Sequence, residues 1–277
     1  MRIETNPAYN NNREVAQFLR NLPQRFCEGG TAVWRKRNEI RLFQLDGKDG
    51  ATPSLHLAVK RFGRLNIIKK IIYSLSKSKA RKAFLNSMEL RRRGFLTPDP
   101  VACVEERKHG LITGAYYVSL ATDWPPIADE LEKSDWNRPL AVALARFAAH
   151  LHERGVLHDD FNKTNVLYNK VDVPDSLDGE QAYRFQLIDN NRMRFLSQGS
   201  VPTDGECMEN LTRFTGDISL FAFVVSEYAT ARGLDPDEWT RRALRQKRLH
   251  DRNWRRRKAI THPIRTIRRN RKQKTGI

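Results

Sequence analysis

The sequence predicts an α+β protein of two unequal lobes followed by a basic C-terminal tail. Candidate strands are concentrated in the first 122 residues, where short apolar runs alternate with turn residues. After about residue 123 the apolar residues recur mainly at helical spacing. Strands that precede a run of helices are typical of α+β folds. We therefore predict a small β-rich N-terminal lobe over 1–122, a mostly helical C-terminal lobe over 123–240 and a tail over 241–277.

The elements of the N-terminal lobe follow from periodicity and from the glycines, prolines and Asp-Gly pairs that separate them. Helices are expected at 12–26 and 79–93. The expected strands cover 31–36, 39–45, 55–62, 101–106 and 111–120. Residues 63–78 mix isoleucines with lysines and arginines, which predicts a basic amphipathic insertion that either lies at a membrane interface or belongs to the lobe's core.

The C-terminal lobe is predicted from one strong helix and several weaker elements. Residues 138–154 are rich in Ala and Leu and end at Gly155, a common helix terminator. The weaker elements are short strands at 166–168 and 183–188 and helices at 205–214 and 217–232.

The positive charge is concentrated at the C-terminus. Of a net charge of +18, most comes from residues 241–277, which contain sixteen Lys or Arg and one acid, Asp251. Such a segment suits an anionic membrane surface or, less well in this context, a nucleic acid. A solvated tail without a partner is the alternative.

The N-terminus has no apolar stretch typical of a secretory signal, and the three cysteines, Cys27, Cys103 and Cys207, are far apart. Neither a disulfide framework nor a zinc site is expected from that spacing. These features predict a cytoplasmic protein, with peripheral attachment to the inner membrane's cytoplasmic face as an extension.

The strongest chemical signal is a polar loop at residues 157–167, which reads Leu-His-Asp-Asp-Phe-Asn-Lys-Thr-Asn-Val-Leu. It has the His-x-Asp and following Asn of a kinase catalytic loop. In such a loop Asp160 receives or orients the proton of an attacking hydroxyl, and Asn165 holds a magnesium ion beside the transferred phosphate. His158 opens the motif and is counted with the catalytic residues.

Two further signals lie on predicted strands. Asp189 ends the apolar run 187–188 and supplies the hard oxygen that Mg²⁺ prefers. Lys60 follows Leu-Ala-Val and is costly to bury without an anionic partner, which the α- and β-phosphates of ATP would provide. Glu89, the one acid between Lys60 and Asp99, is the expected helix partner of that lysine.

A weaker signal lies just before the strand expected at 31–36. Gly29 and Gly30 stand where a phosphate-covering loop would lie, although an ordinary turn explains them equally well. Each signal alone is common by chance, but their order along the chain predicts a protein-kinase-like fold.

Residues 57–223 resemble the lipopolysaccharide core kinases, which phosphorylate heptose or 3-deoxy-D-manno-octulosonic acid (Kdo). The resemblance rests on His-Asp-Asp-Phe at 158–161, Leu-Ile-Asp-Asn-Asn-Arg at 187–192 and Gly-Phe-Leu-Thr-Pro-Asp-Pro at 94–100. It implies ATP and Mg²⁺ as cofactors and a glycolipid acceptor. The site residues that it implies are Asp160 as catalytic base, Asn165 and Asp189 as metal ligands, and Lys60 with Glu89 on ATP.

Departures from protein kinases leave other functions open. Asp159 replaces the usual Arg and Asp189 lacks a following Phe-Gly, which argues against a phosphorylation-regulated protein kinase. Lys163 is the nearest lysine for the γ-phosphate, or it points to solvent. The alternatives are a kinase for a protein or another small molecule, and a non-catalytic kinase-like protein that binds nucleic acid through Arg252–Lys258. An aminoglycoside phosphotransferase is disfavoured because the basic tail would repel cationic drugs.

Overall fold

The computed structural model describes residues 1–46, 54–63, 72–74, 76–172 and 181–274, with side chains excluded at 172, 181–182, 257 and 260–274. The chain forms two compact units. The first comprises Met1–Ser134 and His158–Phe195, and the second comprises Asp135–Leu157 and Leu196–Ile277. The two units are groups of residues in dense mutual contact. The predicted lobes are continuous ranges of sequence assigned by expected function, so their boundaries need not coincide with those of the units. The lobe boundaries at 122 and 240 therefore stay a prediction.

A six-stranded antiparallel sheet forms the base of the first unit, with the strand order β1-β5-β6-β4-β3-β2. The strands are β1 Arg2–Thr5, β2 Thr31–Arg35, β3 Glu39–Leu45, β4 Leu55–Arg61, β5 Pro100–Lys108 and β6 Leu111–Leu120. All five strands expected in this region are confirmed. The sixth, β1, has only four residues and no repeating pattern. It is held by its antiparallel register with β5, in which Ile3 lies opposite Val104.

Two short helices cover one face of this sheet, α1 Arg13–Arg20 and α2 Leu22–Glu28. The prediction of a single helix over 12–26 is wrong, because the chain breaks at Asn21. Pro23, in the first turn of α2, has no N–H to continue the hydrogen-bond ladder of α1. The helices bury apolar side chains against the sheet, namely Val15, Phe18, Leu19, Leu22 and Phe26.

The alternation of side chains along β4 decides which residues face away from this core. Leu57 and Val59 are fully buried in it. Because successive residues of a strand point to opposite faces, Ala58 and Lys60 lie on the other side of the sheet. That side carries the candidate site.

Helix α3, Lys79–Arg92, covers part of this second face and confirms the helix expected at 79–93. It begins at Ser78, whose Oγ accepts a hydrogen bond from the Arg81 N–H at 3.1 Å. Ala80, Ala83 and Phe84 pack with the sheet residues Cys103, Ile112 and Ala115. Of the predicted insertion at 63–78, residues 64–71 and 75 lie outside the described residues.

The rest of the first unit consists of short α4 Ala128–Leu131 and a hairpin of β8 Val166–Asp172 and β9 Gln181–Leu187. Both hairpin strands overlap the short strands expected at 166–168 and 183–188, and both are longer than predicted. In the described part of the chain the other strands are β7 Val156–His158, which begins in the second unit, and β10 Met193–Phe195.

The second unit is helical, as the sequence indicates. Its helices are α5 Arg138–Glu153, α6 Asp204–Leu211, α7 Ile218–Ala231 and α8 Pro236–Lys274. Helix α7 packs against both α5 and α8. The three helices expected at 138–154, 205–214 and 217–232 are confirmed.

Helix α8 shows how the predicted tail begins. Trp239, Ala243 and Lys247 are buried at intervals of four residues, so one stripe of this helix belongs to the interior of the second unit. Sequence reasoning missed this helix because its apolar stripe is short and is interrupted by a buried lysine. In the described part of the chain, no helix is both long and apolar enough to span a membrane.

Candidate active site

A cavity of about 700 Å³ lies within the first unit, on the face of the sheet that carries Lys60. One part of its wall is apolar and comes from the sheet and the β8–β9 hairpin. It includes Val33, Trp34, Ile40, Leu42, Ala58, Leu120, Ala121, Leu167 and Ile188. The polar part includes Lys60, Asn165, Asp189 and Asn190. A cavity that is apolar on one side and charged on the other suits a ligand with a flat base and phosphates.

The imidazole of His158 holds the catalytic loop to the end of strand β9. Its Nε2–H donates to the Ile188 carbonyl at 3.0 Å, and its Nδ1 accepts from the Asp160 N–H at 3.2 Å. Burial lowers the pKa of His158, against the smaller opposing effect of the Ile188 hydrogen bond, so the ring is neutral near pH 7. His158 therefore positions the loop and is not among the residues that line the cavity.

Two asparagines fix the loop around Asp160. The Nδ2 groups of Asn162 and Asn165 each donate to the Asp160 carbonyl at 3.0 Å. This leaves the Oδ1 of Asn165 available on the cavity wall. The carboxylate of Asp160 makes no hydrogen bond to any described residue, and Asp160 is not part of the cavity wall.

Lys60 and Asp189 are brought together from positions 129 residues apart. The Nζ of Lys60 donates to Asp189 Oδ1 at 2.8 Å, and the two side chains are 17% and 27% exposed. Asn191 also bonds this carboxylate through its Nδ2. Burial alone would raise the pKa of Asp189, but the charge and hydrogen bond of Lys60 lower it overall, so Asp189 is ionised at neutral pH.

The backbone at Asp189 has an unusual conformation, with φ at +59° and ψ at 41°. This left-handed region is uncommon for residues other than glycine and is often found at functional sites. A single-turn 3₁₀ helix follows over Asn190–Arg192.

Glu89 does not contact Lys60, which corrects the expected ion pair. Its two carboxylate oxygens bond instead to Arg92, at 2.6 and 2.7 Å, and to Arg93, at 2.7 Å. Both arginines lie one helical turn further along α3, where i,i+3 and i,i+4 side chains meet. The hydrogen bond from Arg92 is the main reason why the pKa of Glu89 falls to about 2.

Gly29 and Gly30 do not line the cavity, so they do not occupy the expected phosphate-covering position. Gly30 has φ of +78°, and a Cβ there would collide with the Phe43 ring, which explains the glycine structurally. The turn over the cavity comes one strand later, between β2 and β3, where Lys36, Arg37 and Asn38 line the wall.

Lys163 and Asp159 are both engaged by residues of the first unit. The Nζ of Lys163 lies 3.3 Å from Glu132 Oε1, and Lys163 is absent from the cavity wall. Its contact with a γ-phosphate stays a prediction. Asp159 binds the segment after Asp189 twice, through its N–H to the Arg192 carbonyl at 2.9 Å and through its carboxylate to Arg194 Nε at 3.0 Å.

The residues present fit a nucleotide and Mg²⁺. Asp189 offers a carboxylate and Asn165 an amide oxygen, which are hard ligands of the kind that Mg²⁺ binds. Lys60, Lys36 and Arg37 add positive charge on the cavity wall, as phosphate oxygens require.

Sequence reasoning missed two parts of this site. The basic turn at 36–38 carries no glycine motif, and its role follows only from its place over the cavity. Asn190 is buried beside Asp189 and borders the cavity, and its sequence signal was the polar stretch 189–192.

Comparisons with known proteins show the family and the fold of the chain. The family model of lipopolysaccharide kinases (Kdo/WaaP) matches residues 54–200, which is more than half of the chain. No curated protein matches the sequence. The structure of "WaaP in complex with acyl carrier protein" is similar at a TM-score of 0.55 and 17% identity, covering 90% of this chain and 98% of that one.

Two structures of Rio2 kinase from Chaetomium thermophilum are also similar, each at a TM-score of 0.43 and 16% identity. One, an ADP/Mg²⁺-phosphoaspartate complex, covers 83% of this chain and 75% of its own, and the other covers 82% and 76%. The WaaP structure confirms the predicted protein-kinase-like fold, and the family match confirms the resemblance seen in the motifs. The chain belongs to the lipopolysaccharide kinase (Kdo/WaaP) family and is a kinase.

Proposed function

We propose that the chain transfers the γ-phosphoryl group of ATP to a hydroxyl of a lipopolysaccharide inner-core sugar, either Kdo or heptose. The observation that carries the proposal is the Lys60–Asp189 ion pair at the polar end of an otherwise largely apolar cavity. A kinase site needs this lysine for the nucleotide phosphates and this carboxylate for Mg²⁺.

The nucleotide is expected to lie along the cavity. Its base packs between the apolar side chains of the sheet and those of the β8–β9 hairpin, with Ala58 and Leu167 on the two sides. Its phosphates reach toward Lys60, beneath the turn formed by Lys36, Arg37 and Asn38. Mg²⁺, when bound, neutralises charge on the phosphates, and the residues placed to hold it are Asp189 and Asn165.

Asp160 is the proposed base. Its carboxylate accepts the proton of the acceptor hydroxyl while that oxygen bonds to the γ-phosphorus. The bond from the γ-phosphorus to the bridging oxygen breaks, and ADP leaves. Because no described residue bonds the Asp160 carboxylate, and because it stands outside the nucleotide cavity, it is free to meet an acceptor that arrives from outside.

Transfer from labelled ATP tests the proposal. The purified chain is incubated with Mg²⁺ and one of two acceptors, a Kdo-bearing lipid A precursor or its heptosylated form, beside Asp160→Asn. Asp135→Asn, an exposed aspartate of the second unit, is the matched control. We expect transfer to one acceptor, lost in Asp160→Asn and retained in Asp135→Asn. Transfer that survives in Asp160→Asn would contradict the assignment of Asp160 as the base. If neither acceptor is phosphorylated, the proposal of an inner-core sugar as acceptor is contradicted.

We also propose that the exposed side of α8 attaches the enzyme to an anionic membrane surface on the cytoplasmic side. Exposed arginines recur there at intervals of four and three residues and so form one stripe. They are Arg241, Arg245, Arg248, Arg252 and Arg255. Each basic residue near an anionic surface contributes about 1 kcal/mol of attraction. The acceptor of the proposed reaction is anchored in such a surface.

Vesicle sedimentation tests this attachment. The full chain should sediment with phosphatidylglycerol-containing vesicles, not with phosphatidylcholine vesicles, and high salt should release it. Replacing Arg245, Arg248 and Arg252 by Gln should weaken sedimentation while transfer to a detergent-dispersed acceptor is retained. Binding to single-stranded RNA in preference to the anionic vesicles would favour the nucleic-acid alternative.

A further inference from the structure

Asn190 occupies a position that has a defined role in protein kinases. It follows the metal-binding Asp189, where those enzymes carry the Phe of Asp-Phe-Gly, and the packing of that Phe sets the active state. Here an amide takes its place and is only 3% exposed. A buried amide must be explained by its hydrogen bonds.

The Nδ2 of Asn190 reaches two hydroxyls on the α3 side of the site. It donates to Ser87 Oγ at 2.9 Å and to Thr97 Oγ1 at 3.0 Å. The backbone carbonyl of Asn190 in turn accepts from Asn86 Nδ2 at 2.7 Å. Two consecutive residues of α3 therefore bind the residue that follows Asp189.

These contacts extend to the strand beside Lys60. Ser87 Oγ also accepts a hydrogen bond from the Tyr117 hydroxyl at 3.0 Å. Tyr117, on β6, is the antiparallel register partner of Lys60 on β4. A chain of polar contacts thus runs from the strand next to Lys60, through α3, to the turn that carries Asp189.

The Oδ1 of Asn190 accepts no hydrogen bond from a described residue. A leucine of similar size would avoid that cost. The amide is therefore explained by the hydrogen bonds that its Nδ2 donates to Ser87 and Thr97.

We propose that Asn190 is a positioning residue for phosphoryl transfer, and that its bonds to Asn86, Ser87 and Thr97 hold α3 and the Asp189 turn in register. The expected contact from α3 to Lys60 through Glu89 is not made, because the Glu89 carboxylate is bound by Arg92 and Arg93, and Asn190 links α3 to the turn of Asp189 instead. The proposal rests on the proposed function, in which Asp189 holds Mg²⁺. Asn190 acts on the metal ligand through the turn, and its residue also borders the cavity.

The test uses the full chain with Asn190→Leu, Ser87→Ala and the double variant. Asn169→Leu, an exposed asparagine on β8, is the matched control. The readouts are kcat, the KM for ATP, the Mg²⁺ concentration that gives half-maximal rate, and hydrogen exchange of α3 without ligand. A merely structural role would lower thermal stability and leave the Mg²⁺ dependence of the folded enzyme unchanged.

We expect Asn190→Leu to lower kcat and to weaken the apparent Mg²⁺ affinity by about 10-fold to 100-fold, as loss of a group supporting a metal ligand does. Hydrogen exchange of α3 should be faster in the same variant. Ser87→Ala should act in the same direction with a smaller effect. The double variant should be no worse than Asn190→Leu, because both changes break one connection.

A kcat and a Mg²⁺ dependence within twofold of the parent in a folded Asn190→Leu protein would overturn the proposal, as would multiplicative effects in the double variant. If Asn190→Leu does not fold, Ser87→Ala decides the question by the same readouts. If the parent transfers no phosphate, the proposed function fails on its own. Hydrogen exchange and Mg²⁺-dependent ADP binding then test the positioning role of Asn190, which is refuted if neither measurement changes in the variants.

Discussion

Each unit contains a lysine that is largely withdrawn from solvent, and the two lysines differ in what surrounds them. Lys247, in the second unit, is 2% exposed and is enclosed by protein partners. Its Nζ bonds the Thr212 carbonyl at 3.1 Å and Asp251 at 3.2 Å, and it lies 5.2 Å from the centre of the Phe221 ring. Lys60, in the first unit, has one carboxylate partner and borders a cavity.

This difference separates a structural lysine from a binding one. Burial of a charge has to be compensated by partners, and at Lys247 the fold supplies several of them. At Lys60, whose Nζ also lies 5.4 Å from the centre of the Phe62 ring, the remaining compensation is shared between Asp189 and whatever enters the cavity. Depth of burial alone would rank Lys247 as the more unusual residue, whereas the open side of Lys60 indicates function.

The largest expected effect comes from Lys60→Met, which removes the charge and keeps most of the side-chain volume. Phosphoryl transfer should fall by about 10²-fold to 10³-fold, as for loss of an electrostatic group in an active site. Initial rates with labelled ATP measure it, and Lys247→Met is the matched control. Equal losses of activity per folded molecule in the two variants would contradict the distinction between a binding lysine and a structural one.

Lys247→Met should instead affect stability. It leaves the Thr212 carbonyl without its partner and removes the ion pair with Asp251, at a cost of about 1–3 kcal/mol in the free energy of unfolding. Urea denaturation of the full chain, followed by circular dichroism, measures the change. A variant as stable as the parent would show that the enclosed polar contacts of the second unit are dispensable.

A histidine in the same unit gives a pH test of that enclosed interior. His152 bonds Tyr228 and Asn210, and burial is the main reason why its pKa is lowered to about 4. The unfolded chain binds a proton near the ordinary value of 6.5, so between these values the unfolded state holds more protons. The contribution of His152 is therefore fully present above about pH 6.5 and is lost as the pH falls toward 4.

The full loss corresponds to about 3 kcal/mol at 1.36 kcal/mol for each pKa unit. Denaturation curves recorded between pH 7 and 4 test it, with His152→Gln as the comparison. The substitution should flatten the pH dependence in this range. A slope that persists in His152→Gln would assign the effect to other groups.

The smallest expected effect is that of Glu89→Gln. Because its oxygens bind Arg92 and Arg93 at the C-terminal end of α3 and not Lys60, the loss of its charge should change kcat by less than about threefold, as for a partly exposed ion pair. Steady-state rates at saturating Mg²⁺ decide the point. A loss as large as that of Lys60→Met would restore Glu89 as the partner of that lysine.

The parts of the site that could be predicted are those with local patterns. Residues 159–165 form one loop between β7 and β8, and Asp189 follows the apolar end of β9, so short stretches of sequence contain their geometry. Lys60 follows from the alternation of β4. These residues also lie inside the segment matched by the family model.

The parts that could not be predicted depend on contacts between distant segments. The prediction for Glu89 rests on its being the one acid between Lys60 and Asp99, yet Arg92 and Arg93, three and four positions later, compete for it. Asn190 acts through Ser87 and Thr97, about 100 and 93 positions away, and no local pattern reveals such partners. The buried start of α8 likewise depends on the helices that it packs against.

The Asp159–Arg194 pair has a consequence for control of the enzyme. In many protein kinases the segment after the metal-binding Asp is ordered by an added phosphate that binds arginine. Here the chain's own carboxylate meets that segment's arginine as soon as the protein folds. We therefore expect this segment to be held in place without an added phosphate, so that activity needs no activating modification there.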